Sequence, residues 1–250
     1  LIEKLGDAVS ESEICEDSLI LNKLNLDSNL FTKGYYIIQD EASALVASSI
    51  GLSLDKEYKI LDTCAAPGGK SLHIASKYFN STLISCDKYI HKLKLIEDNK
   101  EKLDITNIQV KEQDATVNND SFIENFDIVV CDVPCSGIGV IKNKPEIKYK
   151  ITNAYIEDIA KLQYQILENS KNYVKQGGTL MYSTCTIDKR ENIKNIEKFL
   201  KENKDFSLEN ITLNNSIVKS RENGVLEILP DEYSCDGFFI AKLKKMEAKC

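Results

Sequence analysis

From Tyr58 onward the chain alternates short apolar runs with longer amphipathic ones, and this rhythm limits the possible folds more than any single residue does. Tyr58–Thr63, Thr82–Cys86, Asn107–Lys111, Phe126–Cys131 and Thr179–Ser183 read as strands. Lys70–Tyr78, Ile90–Lys102, Ile151–Val174 and Asp188–Glu202 read as helices, and the third carries Ile156, Ile159, Leu162, Ile166 and Leu167 on one side. Strands of about five residues alternating with helices of about ten or more predict an α/β fold with a doubly wound, mostly parallel sheet, because parallel neighbours need a crossover. The strands are continuously apolar, as strands covered on both faces are. After Asp205 the rhythm changes. Gly224–Leu229 and Gly237–Leu243 read as strands with no helix between them, which predicts an antiparallel extension at the sheet edge. Upstream, Tyr35–Gln39 reads as a short strand and Glu41–Ile50 as a helix. Residues 1–33 are weakly patterned and are expected to be the remnant of a small N-terminal α+β subdomain, with 34–250 forming the main domain.

The composition removes several classes of protein. At 42% hydrophobic residues the chain can bury a substantial core. No apolar run is long enough to span a bilayer, and Leu1–Ser10 lacks the apolar stretch of a signal peptide. The chain does not begin with Met, so further sequence is expected upstream. Its eight cysteines do not form a disulfide-type pattern, and Cys64, Cys131, Cys135 and Cys185 sit at or near strand ends. A reducing, cytoplasmic location is the natural reading. Cys131 and Cys135 have no second close pair, and the chain has two histidines, so no metal site is expected. The net charge of −7 does not suggest a nucleic-acid binder. The stretch with Lys142, Lys144, Lys148 and Lys150 against Glu146 is locally basic, but charge alone makes it a solvated loop.

In open α/β sheets, ligands bind beyond the carboxyl ends of the strands. The segment Asp62-Thr63-Cys64-Ala65-Ala66-Pro67-Gly68-Gly69-Lys70 follows the first core strand and opens a helix. Glycine lets backbone approach a ligand closely, and a helix start presents free N–H groups. The glycine spacing fits neither a dinucleotide fingerprint nor a phosphate-binding P-loop. Asp87, about 25 residues past Asp62, is placed to accept from ribose hydroxyls. Asp114 follows the third strand and is a candidate for an adenine amino group, and Asp132 follows the fourth. Taken singly, each acid could be a helix cap or a solvated turn. Taken together they suggest a nucleoside ligand without a pyrophosphate. Cys135 and Cys185 also lie just past strand ends, on the ligand side of the sheet. Free cysteine is most often a small buried hydrophobe, but this location favours a sulfur nucleophile.

Three motifs, Asp62–Lys70, Asp132-Val133-Pro134-Cys135-Ser136-Gly137 and Ser183-Thr184-Cys185-Thr186, resemble the RNA (cytosine-5) methyltransferases, in particular the Sun/Fmu-type bacterial 16S ribosomal RNA enzymes. Gln39–Ser43 and Asp236–Ala241 resemble that family's flanking segments. The likeness runs from about Gly34 to Leu243. It implies a seven-stranded, Rossmann-like methyltransferase sheet and S-adenosylmethionine as cofactor. It implies that Cys64, Ala65, Ala66, Pro67, Gly68, Gly69, Lys70, Asp87, Asp114 and Asp132 form the cofactor pocket. It makes Cys185 the nucleophile and Cys135 the helper of product release. It implies RNA as partner, 16S ribosomal RNA first with tRNA as the alternative, and an upstream RNA-binding domain. Thr186 stands where many members have Ser. Lys142 and Lys144 stand where relatives often have Arg, so phosphate contacts there, with Lys148 and Lys150, would be point charges rather than forks. The chemistry is consistent with thiols. A thiolate adding to cytosine C6 makes C5 nucleophilic, and a base must later remove the C5 proton. Asp132 could hydrogen-bond the N3/N4 edge of the base and, if protonated, stabilise the adduct, with Lys70 steadying that acid.

Three other readings are compatible with parts of this pattern. Amino-methylation of adenine or guanine needs no thiol and uses a different proline segment, so Pro134-Cys135 argues against it. A nicotinamide-dependent dehydrogenase is disfavoured by the glycine spacing. A non-catalytic RNA-binding or assembly module is opposed by the presence of both thiols.

Overall fold

The computed structural model describes residues 2–22, 29–214, 216–218 and 223–247. Parts of the 1–33 stretch, and Cys250 among the eight cysteines, therefore lie outside the described residues. Val9–Glu11 (β1) and Leu19–Leu21 (β2) pair as a separate antiparallel hairpin. Glu41–Ile50 forms α1, capped by the Asp40 carboxylate, which accepts from Ala42 N. Lys59–Asp62 (β3), Gly69–Lys77 (α2), Thr82–Asp87 (β4), Ile90–Lys102 (α3) and Ile108–Glu112 (β5) follow. Then come Phe126–Asp132 (β6), Asn153–Ser170 (α4), Val174–Thr184 (β7), Ile193–Glu202 (α5), Phe206–Leu208 (β8), Val225–Ile228 (β9) and Phe238–Lys245 (β10).

The main sheet runs β5-β4-β3-β6-β7-β10-β8, a path of seven strands, with β9 pairing along part of β10 as an eighth. β3 to β7 pair in parallel, and β10 runs antiparallel to β7, β8 and β9. Alternate residues face opposite layers. Ile60, Ile128, Val130, Met181 and Ile240 pack with Leu45 of α1 and Leu72 and Ile74 of α2. Leu61, Val129, Leu180, Tyr182 and Phe239 pack with Ile166 and Leu167 of α4 and Ile196 and Phe199 of α5. Covering on both faces is the reason the parallel strands lack polar alternation. Among the described residues, no helix is long and apolar enough to cross a membrane.

Several elements differ from the sequence expectation. Tyr35–Gln39 is not a strand. It crosses the end of α3 so closely that a side chain at Gly34 would meet the Lys102 carbonyl, and Ile37 packs against the core from an irregular backbone. The helix expected over Ile151–Val174 begins later, where the Thr152 hydroxyl accepts from Tyr155 N at 3.2 Å, and ends at Ser170. Val174 already belongs to β7, which is therefore longer than Thr179–Ser183. The helix expected from Asp188 starts at Ile193, because the preceding residues form a turn at the site described next. β8 was not expected, and the α+β character expected of residues 1–33 did not place the β1–β2 hairpin.

Candidate active site

β3, β6 and β7 are adjacent, and their carboxyl ends bring together three distant stretches of sequence at the point where the strand order reverses. Asp132 ends β6 in register with Ser183 on β7. The Ser183 hydroxyl donates to Asp132 Oδ1 at 2.7 Å, and Lys70 Nζ lies 2.6 Å from Asp132 Oδ2. Burial works against the charge on Lys70, but the Asp132 carboxylate outweighs it and holds the lysine pKa up. Asp62, at the end of β3, is fully buried. It accepts from Ser71 Oγ at 2.6 Å and from Cys64 N at 3.3 Å. Burial, reinforced by Asp132, pushes its carboxyl up to about 7.

Cys135 and Cys185 stand on the loops after β6 and β7 with their sulfurs 3.1 Å apart. The hydrogen bond from Cys135 lowers the Cys185 pKa, and Lys70 adds to this against the effect of burial. The same bond, together with burial, drives Cys135 well up. Burial also raises Cys64, Cys86, Cys131 and Cys235. Cys185 thus stands apart from these five thiols as the readiest to ionise, the state a sulfur nucleophile needs.

The thiol loops are held by residues to which the sequence assigned no role. Glu191 is fully buried and accepts from Ser136 N at 2.8 Å, Ser136 Oγ at 2.5 Å and Gln163 Nε2 at 2.9 Å. The Thr186 hydroxyl lies 3.2 Å from the same carboxylate and 2.9 Å from Ser136 Oγ. Gln163, buried on α4, also donates to the Pro134 carbonyl at 2.9 Å. Asn192 accepts from Thr184 Oγ1 at 2.6 Å and donates to the Thr186 carbonyl at 2.8 Å, so it grips Cys185 from both sides. Gly139 N donates to the Cys185 carbonyl at 3.1 Å, and a Cβ on Gly139 would lie 2.1 Å from the Gly237 carbonyl oxygen. Only glycine allows that approach.

The Cys64–Lys70 loop turns over the end of β3. Ala65 N donates to the Cys86 carbonyl at 2.7 Å, the Ala66–Pro67 peptide is cis, and Gly68 has φ of +108°. The Cys64 thiol faces Thr63 Oγ1, 3.9 Å away. Asp87 accepts from Tyr89 N at 3.0 Å and from Ala66 N at 3.3 Å, one bond on each oxygen. Asp114 is more committed. Lys88 Nζ lies 2.7 Å from Oδ2, and Thr116 donates twice to Oδ1. These contacts hold its carboxyl down at about 2. Lys142, Lys144, Lys148 and Lys150 are all exposed, on the segment leading from the Cys135 loop into the short helix Ile147–Lys150.

A profile of the 16S rRNA methyltransferase RsmB/F family matches residues 49–244. The chain belongs to the RsmB/F family. The family likeness read from the motifs is therefore correct, and the three motifs supply the ends of β3, β6 and β7. Among RsmB/F relatives, the probable ribosomal RNA small subunit methyltransferase B of Bacillus subtilis is 39% identical over 247 residues, covering 96% of this chain and 55% of that protein. The chain spans about half the length of the curated relatives it matches. NSun6 from Pyrococcus horikoshii, solved with SFG, superposes with a TM-score of 0.78 at 29% identity, covering 90% of this chain and 57% of that one. A methyltransferase homologue from Pyrococcus horikoshii, at 24% identity and a TM-score of 0.82, covers 98% and 80% and shares the fold. The sheet is that of S-adenosylmethionine-dependent methyltransferases.

Proposed function

We propose that this chain transfers a methyl group from S-adenosylmethionine to C5 of a cytosine in RNA, 16S ribosomal RNA first, through a covalent bond from Cys185 to C6. The observation that carries this reading is the pair of sulfurs 3.1 Å apart beside the Lys70–Asp132 ion pair. Family membership and the names of the relatives, small-subunit ribosomal RNA methyltransferases, support the substrate class.

The loop after β3 fits the cofactor. A Cβ at Gly69 would make only ordinary contact with Gln39 at 3.7 Å, so the protein itself does not require glycine there, whereas a ligand lying on the backbone would. Each Asp87 oxygen already accepts one backbone N–H, and each keeps a lone pair for a ribose hydroxyl. Asp114 could serve the adenine end only if Lys88 released it. When bound, the cofactor supplies an electrophilic methyl group on sulfonium sulfur.

Cys185 as thiolate adds to C6, and the electron pair of the C5–C6 bond becomes available at C5 for bonding to the methyl carbon. Asp132, positioned by Ser183 and Lys70, meets the N3/N4 edge of the base and, when protonated, donates to N3 and so stabilises the negative charge that the addition places there. Once the Cys185 thiolate is consumed in the adduct, Cys135 gives its own thiol proton to water and then takes the C5 proton, directly or through water, the C5–C6 double bond re-forms, and Cys185 leaves as thiolate. The exposed lysines after the Cys135 loop hold RNA phosphate.

The test separates the two thiols. Cys135→Ala with RNA and S-adenosylmethionine should stall as an adduct carrying the methylated base, seen as a denaturation-resistant protein–RNA band. Cys185→Ala should give neither band nor methylation. A band in the opposite variant would exchange the roles. Full activity in both variants would end the covalent mechanism.

A further inference from the structure

Two thiols at hydrogen-bond distance can ionise one at a time, so something must decide which sulfur keeps the proton. We infer that Glu191 is a positioning residue that makes this choice: its buried carboxylate, seated on the Cys135 loop, keeps Cys135 protonated and leaves the charge on Cys185. The inference rests on the reading of Cys185 as nucleophile and extends it to a residue outside the reacting pair.

Glu191 is an unusual acid for a protein interior. It has no exposure to water, and its charge is met by neutral donors from the Ser136, Gln163 and Thr186 positions. These donors reach both of its oxygens. The adjacent Arg190 does not neutralise it by direct contact. That guanidinium binds Asp188 at 2.7 and 2.9 Å and Asn153 at 3.2 Å. Arg190 acts on it only from a distance, so a carboxylate met in direct contact by dipoles alone keeps a field over its neighbours in a poorly screened interior. Two of its bonds come from Ser136, the residue after Cys135, whereas Thr186, the residue after Cys185, reaches it by one longer contact. The charge is thus placed against ionisation of Cys135, and it contributes to the rise of that thiol after the bond to Cys185 and burial.

The other charged groups around the pair do not cancel this asymmetry. Lys70 favours a thiolate at Cys185, and Asp132, its partner, opposes one. Asp62 lies behind that ion pair, with a carboxyl raised to about 7. The Tyr182 hydroxyl donates to the Glu191 carbonyl at 2.5 Å, and its pKa is driven well up by burial. Asp188 is occupied by Arg190. Glu191 is therefore the buried charge nearest in bonding to the Cys135 loop, and Lys70 is the cation on the Cys185 side.

The experiment uses the whole chain without RNA or cofactor. Iodoacetamide labelling is followed across pH, and each cysteine is quantified by peptide mass spectrometry. In the unmodified chain Cys185 should be labelled ahead of Cys135 at neutral pH. Glu191→Gln should move the Cys135 profile to lower pH by about one unit, cutting the preference for Cys185 about tenfold, and Glu191→Asp should restore it. Gln163→Leu removes a donor and leaves the charge less compensated, so Cys135 should move to higher pH. Circular dichroism establishes that each variant is folded. Cys135 labelled first in the unmodified chain, unchanged profiles in a folded Glu191→Gln, or a downward move in Gln163→Leu would each overturn the inference. Loss of methyl transfer with the labelling order intact would count against the proposed reaction and leave the role of Glu191 standing.

Discussion

Asp62 shows how far burial alone can change a residue's chemistry. It sits at the end of a central strand with no exposure, and its carboxyl is raised to about 7 chiefly because the charged form is cut off from water. An acid whose folded pKa exceeds its unfolded one holds a proton more tightly when folded. Its contribution to stability is full below about pH 4 and is lost as the pH rises through about 7. Asp62→Asn cannot ionise, so its unfolding free energy should fall less between pH 5 and pH 8 than that of the unmodified chain, by roughly 2 kcal/mol in urea titrations. An equal fall in both proteins would show that Asp62 does not titrate in this window. At this scale the sequence was readable in part. Acids at strand ends and cysteines past them stand out in the sequence, but a string of letters does not say which of them water reaches. Glu191 and Gln163 were overlooked because each lies in a stretch with helical patterning. The available clue was that Gln163 occupies the same face as Ile156, Ile166 and Leu167, a place where a polar side chain needs a buried partner.

The segment 142–150 is the element whose role depends most on its surroundings. Its lysines are exposed, yet its path is fixed near the Cys135–Cys185 pair, because Ile147 packs at Gly137 and Gly139 is bonded to the Cys185 carbonyl. Neutralising any one of Lys142, Lys144, Lys148 or Lys150 should lower the salt slope of RNA binding by about one unit, measured by titration at several salt concentrations. An unchanged slope and affinity would return the segment to a solvated loop. The central strands and α3 were legible because apolar runs of strand length and an uninterrupted amphipathic run have few alternatives. The start of β7 was hidden by Gly177 and Gly178, which break the apolar run although the ladder to β6 continues past a register shift. The first turn of the expected helix from Asp188 was lost to side-chain bonding, since Asp188 accepts from Arg190 N at 2.9 Å and Asn192 turns to the Cys185 loop.

Across the whole molecule, the β1–β2 hairpin is fastened to the main body through Asp17. Its Oδ2 lies 2.6 Å from Lys77 Nζ, accepts from Ser48 Oγ at 2.8 Å and stands 3.4 Å from His73 Nε2. His73 first, then Lys77 and Ser48 against the effect of burial, hold this carboxyl well below the usual range. A depressed carboxyl adds stability above its unfolded pKa and loses it as the pH falls through the folded one. Asp17→Asn should therefore cost roughly 1–2 kcal/mol at pH 7, discounted for partial exposure, and the difference should narrow below about pH 4. Chemical denaturation at pH 7 and at pH 3 measures it, and equal stability at pH 7 would show that the hairpin does not depend on Asp17. β10 has a different consequence, in the order of events during synthesis. Phe239 and Ile240 are the sheet partners of Thr184 and Ser183, so the strand that carries Cys185 at its end acquires its second neighbour only from residues made more than fifty positions later. A nascent chain can assemble β3 to β6 and shape the loop at Gly68 well before then. The edge of β7 stays open until β10 leaves the ribosome and closes it, so the strand that leads into Cys185 is among the last parts of the sheet to be completed.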